Sequence, residues 1–246
     1  MKTIKFFAPA VLVALSIVAP AWAGYTTPGL YFVEPGGWDV GDVGSTSQAW
    51  DALFVTSGNL PDAGYAANPA IATQPTLNAS SPAIATGSQN FYSFVGNYPV
   101  FANIYNHGAG GSDGTHVIVQ TAATLGGTGQ TVLPGTLEVV DLSGNALTGG
   151  GNVDSLVDGV EMFNGIVSSS FGNVSNGVSI WEFFLPGYTG DFRVKWTEEI
   201  HSSFDQLRVD SMIAPAAFPA SFVPEPTSLA LFGVCALGLA MKRNRR

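Results

Sequence analysis

The chain has 246 residues, 46% hydrophobic and only 11% charged, with a formal net charge of −9. Six of its nine basic residues sit at the ends, so residues 24–225 hold only Arg193, Lys195 and Arg208 against all eighteen acidic residues, a formal charge of −15. Such a body repels phosphate backbones and excludes nucleic acid as a partner; it also lacks cysteine, which excludes disulfides, thiolate metal sites and a cysteine nucleophile there.

Residues 1–23 read as a signal peptide. Lys2 and Lys5 precede an apolar run over residues 6–19, and the small residues Ala21 and Ala23 suit signal peptidase, which places cleavage before Gly24. The run has fourteen residues, too few for a retained span, which needs roughly twenty.

Residues 24–214 read as one β domain. Glycine is abundant and charge sparse, and Asn, Asp, Ser and Gly clusters separate short apolar runs, a pattern of many strands joined by tight turns. Strands are predicted at residues 30–33, 91–95, 100–105, 115–121 and 136–141. Residues 47–55, with Trp50, Leu53 and Phe54, fit a short helix or a strand equally. Residues 59–88 are dominated by Ala, Pro, Asn, Thr and Ser and read as a long surface loop or weak edge. Residues 178–185, a turn at 186–190 and residues 191–200 read as a hairpin, with Phe192, Val194 and Trp196 alternating into the core. A last strand spans 207–213, with Leu207, Val209, Ser211 and Ile213 on one face and Arg208, Asp210 and Met212 on the other. Eight or more such strands without a repeat predict an all-β fold. The expected form is a two-sheet antiparallel sandwich, jelly-roll or lectin-like, flanked by an N-terminal signal helix and a short C-terminal hydrophobic helix.

Candidate chemistry is sparse. Residues 110–114 match Gly-x-Ser-x-Gly, but a nucleophile elbow needs a helix after the serine, and here a strand is predicted. His107, His116 and His201 lack zinc-hydrolase spacing and read as ordinary strand or loop histidines. Turn-rich aspartates near Gly and Asn make calcium (Ca2+) the metal to consider, with candidates Asp39, Asp42, Asp154, Asp158, Asp205 and Asp210. Analogy with other sandwiches brings Asp39 or Asp42 near Asp205 or Asp210, while ordinary turn-forming Asp is the competing reading. Glu198 and Glu199 are adjacent, so on a strand they point to opposite faces and cannot flank one glycosidic bond; Glu182 offers no clearer pairing. Of the large aromatics, Trp50, Trp181 and Trp196 read as core, and Trp38 and Tyr188 as candidates for stacking on sugar rings.

Residues 215–222, with Pro215, Pro219 and three alanines, read as a linker. The tail, 223–246, then runs Val223, Pro224, Glu225, Pro226, an apolar stretch over 229–241, and Lys242, Arg243, Asn244, Arg245 and Arg246. Thirteen helical residues reach about 20 Å against a hydrocarbon core of about 30 Å, so a stable span is not expected. The basic cluster would stay on the cytoplasmic side, with the body facing out. Cys235 reads as a small hydrophobe in this stretch.

In order and position, this box, apolar segment and Arg cluster resemble the PEP-CTERM sorting signal. The resemblance implies that Pro224, Glu225 and Pro226 form the motif recognised by exosortase, an integral-membrane cysteine transpeptidase of Gram-negative bacteria that make exopolysaccharide. It further implies removal of the residues beyond the motif. The two prolines suit that role by holding Glu225 extended and away from helix. Together the two ends lead us to expect an exported, non-enzymatic protein of the cell surface or extracellular matrix, associated with exopolysaccharide and passing the inner membrane transiently. A secreted carbohydrate-binding module or carbohydrate-active enzyme is the alternative.

Overall fold

A computed structural model describes residues 32, 38, 40–62, 75–106, 114–126, 131–147, 155–169 and 172–214. The signal peptide, the linker, the tail and the predicted strand at 30–33 apart from Phe32 lie outside these residues.

Among the described residues there are eleven strands and no helix: β1 (Ser45–Trp50), β2 (Thr76–Ala79), β3 (Ile84–Ala85), β4 (Phe91–Tyr92), β5 (Tyr98–Ile104), β6 (Gly114–Thr124), β7 (Glu138–Asp141), β8 (Ser155–Ser169), β9 (Gly172–Leu185), β10 (Phe192–Glu198) and β11 (Ser203–Ala214). They form two antiparallel sheets. One has the order β3-β4-β11-β6-β9-β8, with β1 also paired to β11; the other has the order β2-β5-β10-β7. The predicted antiparallel sandwich is the fold.

One core lies between the sheets. Trp50, Val117, Val119, Trp181, Phe183, Leu207 and Val209 come from the larger sheet, and Leu77, Val100, Ala102, Val139, Phe192, Val194 and Trp196 from the smaller. Phe192, Val194 and Trp196 are buried as their alternation predicts, with Arg193, Lys195 and Thr197 on the opposite face.

The predicted hairpin is not one. β9 pairs with β6 and β8, whereas β10 pairs with β5 and β7, so residues 186–191 carry the chain from one sheet to the other. Alternation marks which side chains turn inward, but two strands facing each other across a core alternate just as two strands side by side do. The crossing is fixed by polar bonds. Asn106 Nδ2 donates to Thr115 Oγ1 and to the Gly190 carbonyl, Thr115 Oγ1 donates to the Tyr188 carbonyl, and the Asn106 amide donates to Asp191 Oδ1. Ser211 Oγ donates to Asn106 Oδ1 and shares a hydrogen bond with Thr46, tying β1 and β11 to the same point.

Other departures are smaller. Residues 47–55 divide into the end of β1 and a loop, which settles the helix-or-strand ambiguity for the strand. The stretch 59–88, read as loop or weak edge, contains β2 and β3, short strands at one edge of each sheet, as the edge reading has it, although Leu77 of β2 is fully buried. β8 carried no prediction, and β9 begins at Gly172, six residues before the predicted start.

The larger sheet is buried on both faces at its centre. On the side away from the smaller sheet, Ile118, Gln120, Val178, Ile180, Glu182, Arg208 and Asp210 are all 1% exposed or less, and Phe32 packs there against Ala122 and Val178. The face of β11 that carries Arg208 and Asp210 is therefore interior. Arg208 Nε lies 2.7 Å from Asp210 Oδ2. Removing one partner leaves a buried charge uncompensated. Arg208→Ala should cost about 3–5 kcal/mol, read as a fall in the unfolding midpoint, whereas replacing both residues by apolar ones of similar volume should cost much less.

Candidate functional site

The sequence-predicted residues separate in space. β1 does lie along β11, as the calcium analogy requires, with the Ile213 amide donating to the Gly44 carbonyl. Asp42, however, is exposed ahead of β1; Asp210 is held by Arg208; and Asp205 lies seven residues down β11 from Met212, the partner of Ser45, or about 23 Å at 3.3 Å per residue. Among the described residues no three His, Cys, Asp or Glu side chains converge as a metal site. Asp39 and Asp154 lie outside the described residues, and Asp158 falls on β8.

Ser112 and His107 also lie outside them, but the glycine closing the Gly-x-Ser-x-Gly match, Gly114, opens β6. A strand follows the serine. A Cβ at Gly114 would come within 2.5 Å of Phe184 Cζ and 2.6 Å of the Leu185 carbonyl, so close packing accounts for that glycine. His116 is buried in β6 with its ring 4.7 Å from that of Phe184, and His201 is exposed, with Nδ1 3.2 Å from the Tyr92 hydroxyl. Neither aromatic singled out for sugar stacking is presented to solvent as such. Trp38 is only 5% exposed, and Tyr188 packs against the core while its hydroxyl donates to the Asp191 carbonyl.

On the outer face of the smaller sheet, charge and an aromatic ring meet at an open cleft. In the register of β10 with β5 and β7, Lys195 stands between Glu138 and Phe101, and Arg193 stands opposite Asn103. Lys195 Nζ is 2.9 Å from Glu138 Oε2, both side chains nearly half exposed, so this pair holds little energy and is open to exchange. Arg193 Nε donates to Asn103 Oδ1 at 2.8 Å, and its guanidinium sits 4.9 Å from the centre of the Phe101 ring. Phe101, Arg193, Lys195, Glu138, Thr136 and Thr197 line an open cleft of about 380 Å³, within the usual range for small-ligand sites. Of the three basic residues in 24–225, two stand here and the third is the buried Arg208. The sequence signal for this site was the alternation in β5, which turns Tyr98, Val100, Ala102 and Ile104 inward and leaves Phe101 outward.

The paired carboxylates are interior. Trp196 Nε1 donates to Glu198 Oε1 at 2.6 Å, and Ser202 Oγ lies 3.1 Å from Glu198 Oε2 and 2.8 Å from the Glu199 carbonyl. Burial pushes Glu198 up to about 7 and Asp205 up to about 6. A protonated Glu198 fits this geometry, since its O–H can donate to Ser202 Oγ while the serine hydroxyl donates to the Glu199 carbonyl. Because the folded carboxyl keeps its proton while the unfolded chain ionises, stability is intact below pH 4.5. It falls as pH rises through about 7, by about 3 kcal/mol. Glu198→Gln retains both hydrogen bonds without a charge to desolvate. Thermal melts between pH 4.5 and pH 8 should show the variant more stable than the parent at the upper end and a flatter pH profile.

No curated protein and no solved structure matches the chain. Residues 222–246 match a protein-family model, the PEP-CTERM protein-sorting motif. The match contains Pro224, Glu225 and Pro226, the apolar stretch and the basic cluster, and it does not extend into the body. The chain therefore carries a PEP-CTERM sorting tail, the mark of an exported protein handled by exosortase.

Proposed function

We propose that this is a non-enzymatic protein of the cell surface or extracellular matrix of a Gram-negative bacterium, associated with exopolysaccharide. The observation that carries the reading is the sorting tail on an acidic, thiol-free β-sandwich. The basic end holds the apolar segment in the inner membrane while the body stands outside; cleavage at the box then releases the body from that anchor. The interior placement of Glu182, Glu198 and Glu199 supports a non-catalytic role, since acid–base work on a glycosidic bond needs carboxylates that reach solvent on either side of it. The open cleft at Phe101 and Arg193 favours the second reading in its binding form, a carbohydrate-binding module, and the two readings are compatible.

Glu225→Ala in the producing cell tests the sorting step. The variant should remain uncut in the membrane fraction, while the parent protein is shortened and leaves it; identical size and location for the two proteins would overturn the assignment.

A further inference from the structure

We infer that the outer face of the smaller sheet binds a saccharide chain bearing isolated carboxylates, a neutral glycan with spaced uronate-type sugars. This rests on the matrix reading above and assigns it a site and a ligand class.

Arg193 is held in place before any ligand arrives. Its Nε is committed to Asn103 and its guanidinium is braced on the Phe101 ring, so little side-chain freedom remains to be lost on binding. Its Nη groups donate to no described residue. A planar donor fork fixed in position and open outward is suited to a carboxylate, which it takes bidentately. Lys195, on the row beside Phe101, adds a second positive charge, with two ammonium protons beyond the one directed at Glu138.

The rest of the lining suits a sugar. Thr197 brings a hydroxyl, while that of Thr136 is engaged by the Leu133 carbonyl and the Thr197 amide; Phe101 gives an apolar surface for ring C–H groups, and about 380 Å³ has room for sugar rings around the carboxylate, more than a lone ion occupies. The surrounding charge sets the spacing of the ligand's carboxylates. Two accessible cations lie in a body of formal charge −15, and at physiological ionic strength charges interact over about 8 Å. A densely charged chain would lay further anions over acidic surface, whereas a sparsely charged one meets only the cleft.

The test is affinity electrophoresis of the processed protein, recovered after export, through gels containing gellan, a glucan-rich chain with a uronate in each repeat. Parallel gels contain carboxyl-reduced gellan, densely charged polygalacturonate or polyglutamate. The parent protein should be retarded most by gellan, and Arg193→Gln and Phe101→Ala should each weaken that binding about tenfold with unchanged melting points. Equal retardation by native and carboxyl-reduced gellan, preference for either dense polyanion, or unaltered binding by both variants would overturn the assignment. Fractionation of the producer's washed matrix separates the two levels. A parent protein absent from the matrix defeats the matrix reading whatever gellan does, and variants retained there as well as the parent defeat this site alone.

Discussion

A sheet buried on both faces offers an ion no side on which to meet water, and the centre of the seven-stranded sheet is buried in this way. Everything charged on its outer side must be matched within the protein, and Arg208 is spent there on Asp210. That single pairing shapes the surface as well as the interior. Once it is made, the cations left for solvent in residues 24–225 are Arg193 and Lys195, two residues apart on β10. The smaller sheet, with its second face open, is where they can stand. Positive charge is concentrated on an otherwise acidic body because one sheet is covered and the other is not.

Polar groups close the sandwich at both ends. At one end, Asn106 gathers Thr115, Ser211 and the backbone of the crossing from β9 to β10, and Gln48 exchanges two hydrogen bonds with the backbone of Tyr105, so β1 of the larger sheet is fastened to the end of β5. At the other, the Tyr98 hydroxyl shares its single proton between the carbonyls of Phe91 and Ser202, and Trp196, Glu198 and Ser202 form a connected set. Burial raises the Tyr98 phenol, which stays neutral in the fold, and raises Glu198, which is protonated below about pH 7. The hydrogen bonds of these buried polar sets join residues of both sheets and so help determine how the two are held together.

The tail and the body do separate work. The Pro-Glu-Pro box, the short apolar segment and the basic cluster make up the sorting motif, which lies wholly outside the sandwich in sequence. On the reading proposed above, the sandwich is retained among glycans through a guanidinium fixed on an aromatic ring. Weak, repeated contacts of this kind suit a matrix, where many copies meet one long chain.

The sequence by itself determined the sorting box, the absence of thiols from the body and the all-β class, and it raised the expectations of a signal peptide and of no nucleic-acid partner. Each of these follows from local order or composition: a run of apolar residues beside lysines or arginines acts the same way wherever the body folds. It also determined that Phe192, Val194 and Trp196 turn inward, because alternation is a property of one strand. Only the tertiary structure decided that β9 and β10 belong to different sheets, that Arg208 and Asp210 face an interior, that Glu198 sits beside Trp196 and Ser202, and that Phe101 and Arg193 share an open face. Those facts depend on which strands lie side by side and which faces are covered, and such pairings between residues as distant as Asn103 and Arg193 leave no mark in the periodicity of either strand.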